Sequence, residues 1–162
     1  VQLAKLHGAE VTGVDHTYKL DFMRSLGADH VIDYTREDFT RNGKQYDLIL
    51  DLIAHRSVFA YQRALRPNGT CFFVGGSVAT LFQILIFGRW IKRTANKNLQ
   101  LLIVPQSRKD LLAVTALCEA GQLTPMIDRR FALNEVPEAF RYIATGRAKG
   151  KIVIMVENSD QT

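Results

Sequence analysis

The stretch Glu10-Val-Thr-Gly-Val-Asp-His-Thr-Tyr-Lys-Leu-Asp-Phe-Met-Arg-Ser-Leu-Gly-Ala-Asp-His-Val-Ile-Asp-Tyr34 decides the fold. Glu10 to Val14 reads as a short strand, apolar at Val11 and Val14 and ending at Asp15. Tyr18 to Leu26 predicts a helix with Leu20, Met23 and Leu26 on one face, closed by Gly27. Ala28 to Tyr34 holds a second short strand, His30 to Asp33. Two strands joined by a helix at this spacing predict a parallel α/β sheet with crossover helices.

The pattern continues in both directions. Val1 to His7 reads as the end of a helix that stops at Gly8. Tyr46 to Leu52 predicts a third strand and Ser57 to Leu65 a helix, stopped by Pro67 and a turn at Asn68-Gly69. Thr70 to Val74 is a continuous apolar run, the pattern of a strand buried on both faces, and it ends at Gly75-Gly76-Ser77. Val78 to Ile91 is unusually apolar and reads chiefly as a helix packed on a neighbouring domain or subunit. Leu99 to Val104 predicts a fifth strand. Ser107 predicts a cap for a helix running to Ala120 and Gly121. Met126 to Leu133 is extended, Asn134 predicts the cap of a further helix through Ala144, and Lys151 to Val156 is a last strand.

Composition narrows the classes of function. The 162 residues are 47% hydrophobic and 23% charged, as in a globular domain or a large piece of one. Two cysteines exclude a disulfide-rich scaffold. Four histidines without ligand spacing speak against a structural zinc site within this chain. The net charge of +5 is uneven: from Leu52 to Lys109 there are nine basic residues and no acid. Such a field attracts anions, among them a phosphorylated cofactor or an anionic membrane surface. Nucleic acid is disfavoured, because the basic residues do not alternate with aromatics and no binding motif is present.

Candidate site residues gather at strand ends, where open α/β sheets bind ligands. Asp15 suits the hydroxyls of an adenosine ribose, and equally a helix cap or turn. Lys19 and Tyr34 suit a 2′-phosphate, which Asp15 would repel. Gly75, Gly76 and Ser77 form either a close backbone approach to a ligand or a plain turn. A nucleophile elbow there is rejected, since no histidine follows His55. The apolar and basic segment 78–97 offers a second reading, a non-catalytic interaction or membrane-surface module.

Several longer motifs point to one family. Ser25-Leu-Gly-Ala-Asp-His-Val-Ile-Asp-Tyr34, Ala64-Leu-Arg-Pro-Asn-Gly69, Ala120-Gly-Gln-Leu-Thr-Pro-Met-Ile-Asp128 and Gly146-Arg-Ala-Lys-Gly-Lys-Ile-Val153 resemble medium-chain dehydrogenases/reductases. The branch is similar to zinc-independent quinone oxidoreductase-like and reticulon-interacting members. The resemblance implies a Rossmann-type doubly wound parallel sheet lacking its first strand and glycine-rich loop, because no G-x-G-x-x-G precedes Val1. It implies that residues 1–122 are a partial dinucleotide-binding domain and that 123–162 returns to a catalytic domain upstream. Ile127, Phe131, Ile152 and Ile154 would then lack their cover.

The resemblance also implies a function. The complete enzyme would be an NAD(P)-dependent oxidoreductase acting on a quinone, enone or carbonyl, a homodimer, cytoplasmic, with no zinc held by this chain. Lys19 and Tyr34 fall where relatives hold the 2′-phosphate, Arg147 where they place a further cofactor-binding arginine, and Gly75 to Ser77 at the nicotinamide end. Ile53 and Ala54 stand in place of the usual Val-Gly. NADP is the expected cofactor, with NAD as the alternative because of Asp15. The 162-residue chain alone is expected to be inactive.

Overall fold

A computed structural model describes residues 1–75 and 78–156, with Leu81 described for its backbone only. Among the described residues there are seven strands and six α-helices, with a helix between every pair of successive strands except β2 and β3. They run α1 (Gln2–Leu6), β1 (Thr12–Asp15), α2 (Leu20–Ser25), β2 (His30–Asp33), β3 (Tyr46–Asp51), α3 (Val58–Ala64) and β4 (Leu65–Phe73). Then follow α4 (Val78–Ala95), β5 (Asn98–Leu101), α5 (Arg108–Glu119), β6 (Ile127–Ala132), α6 (Val136–Ala144) and β7 (Lys151–Met155). The fold is α/β. Strands β3, β4 and β5 form one sheet in that order, with both pairs parallel. Strands β1 and β2 form a second sheet, and β6 and β7 a third, again parallel. Among the described residues no ladder joins β1 to β3, as the doubly wound order without its first strand predicts.

Two compact units divide the chain. One comprises Val1–Gly13, Tyr18–Val31 and the chain from Ser107 on; the other comprises Val14–Thr17 and Ile32–Gln106.

The second unit has a conventional sheet core. Ile49, Cys71 and Leu99 lie in register on β3, β4 and β5, and all three are buried under α3 and α4. Val58, Tyr61, Ala64, Leu65, Phe73 and Ile91 complete the cluster. Burying each large side chain of this set stabilises the unit by about 1.5–3 kcal/mol. Burial also pushes the Cys71 thiol up, well above the usual thiol range. The opposite face of the sheet is bare, with Leu48, Leu50 and Leu52 exposed. This corrects the reading of Thr70 to Val74 as a strand buried on both faces: Cys71 and Phe73 point into the core, whereas Phe72 is half-buried and Val74 exposed. The strand also begins earlier than expected, at Leu65, with a register shift opposite Tyr46 and Leu48.

In the first unit, polar contacts hold the short elements. Lys5 Nζ meets Asp29 at 2.8 Å, and Asp29 Oδ2 also accepts from Val11 N at 2.7 Å. These donors, Lys5 first, hold the Asp29 carboxyl below its usual range. The side-chain amide of Gln2 pairs with the backbone of Thr124, donating to its carbonyl at 2.9 Å and accepting from its N–H at 2.8 Å. The sequence reading leaves Phe131 uncovered, but the structure buries it. Its ring lies 6.4 Å from that of Tyr142 on α6, and Ala139 of the same helix is buried too.

Two helix starts contrast. Ser107 caps α5, its Oγ accepting from Asp110 N at 3.2 Å. Asn134 caps nothing. It lies inside a 3-10 turn, Leu133–Glu135, and α6 begins after Glu135 with proline in its first turn. Strand β5 ends at Leu101, three residues before the expected Val104.

Candidate functional site

Three groups of expected site residues fall within the two units, each with its own chemistry. In the second unit Asp15 and Tyr34 come together at the ends of β1 and β2. Tyr34 N donates to the Asp15 carbonyl at 3.2 Å, and the Tyr34 ring meets His16 edge-on at 5.9 Å. Asp15 Oδ1 accepts from His16 N at 2.7 Å, and its other oxygen has no hydrogen bond among the described residues. Tyr34 is half exposed. Between them the chain is anchored by Asp33, which accepts from the hydroxyls of Thr17 and Thr35 and from Thr35 N. Those bonds, Thr17 first and Thr35 next, lower the Asp33 carboxyl to about 2. The result is a firmly held turn that presents one spare carboxylate oxygen and one phenol.

The second group is the loop after β3, with the end of β4 beside it. Asp51 organises this loop. Its Oδ1 accepts from Ile53 N at 2.9 Å and Ala54 N at 2.8 Å, and its Oδ2 accepts from the Tyr61 phenol at 2.7 Å. Burial, reinforced by that bond, raises the Tyr61 hydroxyl well above the ordinary tyrosine range. Ile53 projects into solvent, whereas Ala54 is buried with φ 43. A left-handed φ is costly for any residue with a Cβ, so glycine would adopt this conformation more readily than the alanine found here. At Gly75 a Cβ would come 2.8 Å from the Leu52 carbonyl oxygen. The neighbouring strand thus accounts for that glycine without a ligand. Gly76 and Ser77, also expected at the nicotinamide end, lie outside the described residues.

The third group belongs to the first unit. Arg147 lines an open concavity of about 590 Å³ with Tyr18, Arg129, Tyr142, Thr145 and Lys149. The Tyr18 phenol donates to the Gly146 carbonyl at 2.8 Å. The Arg129 guanidinium lies 3.9 Å from the centre of the Tyr142 ring, a close cation–π stack. Asp128 Oδ2 accepts from both the Tyr142 phenol and Lys149 N, each at 2.9 Å. The Lys149 bond first, then that of Tyr142, holds the Asp128 carboxyl below its usual range, and the same carboxylate raises Tyr142. Lys19 follows Tyr18 in the chain and holds its ammonium 5.7 Å from the Tyr18 ring. Three cations and two phenols in one hollow form an anion-attracting surface.

The sequence motif singles out Arg147 but gives no sign of Arg129, Tyr142 and Lys149, which line the same hollow. Their proximity comes from packing of α6 against β6, which no local motif encodes. Asp33 was visible only as the end of a strand.

Residues 26–154 match the family described as zinc-binding dehydrogenase. The chain belongs to that family, within the medium-chain dehydrogenase/reductase superfamily. It is 30% identical over 159 residues to the tomato (Solanum lycopersicum) 2-methylene-furan-3-one reductase, covering 95% of this chain and 36% of that protein. It is 30% identical to the mouse (Mus musculus) mitochondrial NAD(P)H oxidoreductase RTN4IP1, covering 96% of this chain and 44% of that protein. Among solved structures, a putative alcohol dehydrogenase from Sinorhizobium meliloti 1021 is similar with a TM-score of 0.74 and 30% identity, over 94% of this chain and 46% of that one. The chain therefore spans between a third and a half of the length of these relatives.

Family membership raises two cofactor questions. Among the described residues no three His, Cys, Asp or Glu side chains are grouped so as to hold a metal ion, so the residues described do not fit zinc. Within the first unit, the cations Arg129, Arg147 and Lys149 lining one hollow have the chemistry to attract an anionic phosphate. No described helix is long and apolar enough to cross a membrane.

Proposed function

We propose that the chain forms the nucleotide-binding part of an NAD(P)H-dependent reductase of quinones, enones or carbonyls. The observation that carries this reading is the firmly held β1–β2 end, where Asp15 and Tyr34 stand together beside the buried carboxylate of Asp33. Membership of a dehydrogenase family supports it, as do relatives named as reductases.

When bound, the dihydronicotinamide supplies the hydride, and the protein supplies orientation and electrostatics. Asp15 accepts from a ribose hydroxyl. The cations Lys19 and Arg147 of the first unit attract the 2′-phosphate, so NADPH is preferred over NADH. Each charge-assisted hydrogen bond contributes about 1.5–3 kcal/mol, and one such bond cancels the repulsion from Asp15. Ile53, Ala54 and the Gly75 to Ser77 stretch border the nicotinamide end. Residues 123–162 pack against the domain that carries substrate, and the complete protein is a homodimer in the cytoplasm. The 162-residue chain alone does not turn over substrate, since it spans only 36% and 44% of the two reductase relatives.

Calorimetric titration with 2′,5′-ADP and with AMP tests the reading. Tighter binding of 2′,5′-ADP is expected, and Lys19→Ala narrows the difference. A Lys19→Ala protein with an unchanged ratio sinks the NADPH assignment, and absence of binding to either nucleotide sinks the reading as a whole.

A further inference from the structure

Helix α4 is amphipathic in an unusual arrangement. Its inner side is fully committed: Ile91 is buried, Ile84 and Phe87 pack on the core, Thr80 Oγ donates to the Ala54 carbonyl at 3.2 Å, and Gln83 accepts from Val58 N at 3.2 Å. Its outer side carries Val78, Phe82, Leu85 and Ile86 over the first turns, with Leu85 75% exposed. Those positions repeat at helical spacing on one face. Over the last turns the same side carries Arg89, Lys92 and Arg93, which with Trp90 line an open hollow. Trp90, 54% exposed, sits where the apolar part meets the basic part, and Phe59 of α3 lies beside it at 6.5 Å.

Charge identifies the occupant. Of the nine basic residues between Leu52 and Lys109, Arg56 pairs with Asp38 and Arg66 with Asp47, while Arg63 and Lys97 donate to backbone carbonyls. Arg89, Lys92 and Arg93 have no ion pair among the described residues. An apolar ridge that ends in three cations, with an aromatic ring at the junction, matches the layering of an anionic bilayer surface: acyl chains, interface, phosphates. A second copy of the chain fits poorly, because two such faces would bring like charges together. The 18-residue helix is not long and apolar enough to cross a membrane, and layering along its axis suits an oblique approach with the first turns deepest.

We propose that α4 docks the protein onto an anionic lipid surface. Phe82, Leu85 and Ile86 enter the acyl boundary, Trp90 sits at the interface, and Arg89, Lys92 and Arg93 contact the headgroup phosphates. The proposal is independent of the reductase reading, because none of these residues is assigned to nucleotide.

Trp90 is the single tryptophan of the chain and reports directly on docking. The 162-residue protein is mixed with vesicles of phosphatidylcholine alone and with vesicles containing about a third phosphatidylserine. Expected are co-sedimentation and a blue shift of Trp90 emission with the anionic vesicles only, both fading as salt rises from about 0.05 to about 0.5 M. Arg89→Gln/Lys92→Gln/Arg93→Gln weakens binding on the order of 100-fold, about fivefold for each cation. Phe82→Ser/Leu85→Ser removes the blue shift while the circular dichroism spectrum stays that of the parent. Leu48→Ser/Leu50→Ser, on the bare sheet face, leaves vesicle binding unchanged. Equal binding to neutral vesicles, a blue shift from self-association without vesicles, or indifference to the triple charge change overturns the proposal.

Discussion

Tyr61 and Asp51 are joined by a 2.7 Å hydrogen bond, and through it a buried helix residue holds the loop after β3. The partner oxygen of the same carboxylate takes the Ile53 and Ala54 amides. Tyr61→Phe keeps the ring in its pocket but leaves Asp51 Oδ2 without this donor. The expected loss is about 1–3 kcal/mol, read from urea melts. Amide exchange should accelerate at Ile53 and Ala54. A melt that matches the parent, with unchanged exchange, would show that the loop does not depend on this bond.

Ala54 has a positive φ and a buried methyl group. Ala54→Gly relieves a left-handed strain of about 1–2 kcal/mol and gives up about 0.8 kcal/mol of methyl burial. The two nearly offset, so the variant is expected to melt within about 1 kcal/mol of the parent, on the stable side. A large destabilisation would mean that the methyl packs more tightly than its surroundings suggest.

Asp33 sets an acid limb in the stability curve. Its carboxyl is lowered from the ordinary 3.8 to about 2, first by the Thr17 hydroxyl and then by Thr35. The folded state thus holds that proton less tightly than the unfolded chain does. Its contribution is fully present above about pH 4 and is lost as pH falls towards 2. Asp33→Asn should flatten the melting temperature between those pH values and lower it at neutral pH. A carboxyl resonance that titrates near 4 in the folded protein would contradict this.

Gly150 opens β7, and a Cβ there would press into the Met126 backbone carbonyl. Lys151 N donates to that same carbonyl at 2.7 Å, so the two backbones approach closely just ahead of the β6–β7 ladder. Gly150→Ala is expected to cost about 1–3 kcal/mol by overpacking. Gly121→Ala is the comparison. Nothing lies within reach of its added methyl, but its φ of +68 makes it pay backbone strain alone. A Gly150→Ala protein that melts like the parent would remove the steric argument.

Local patterning carried the elements whose residues are chosen by burial. Leu48, Ile49 and Leu50 announced β3 by their apolar run, and Ser107 announced α5 because its side chain caps the helix that follows. Asn134 misled, since proline in the first turn of α6 and the preceding 3-10 turn moved the helix start past it. The run of Thr70 to Val74 overstated burial, because a row of apolar residues does not say which sheet face has a partner. Asp15, Tyr34 and Arg147 were legible as residue types at strand ends or within a motif. The stack of Arg129 on Tyr142 was not, for it exists only once β6 and α6 have packed.

The paired amide of Gln2 and backbone of Thr124 has a consequence for the order of biosynthesis. The two residues are 122 positions apart. At a translation rate of about 5–20 residues per second, Gln2 waits roughly 6–24 s before its partner exists. By the end of that interval the segment from Ile32 to Gln106 has been synthesised and can collapse on its own strands. A ribosome paused before Thr124 would hold a chain in which Lys5 can already meet Asp29 while the Gln2 amide still lacks its backbone partner.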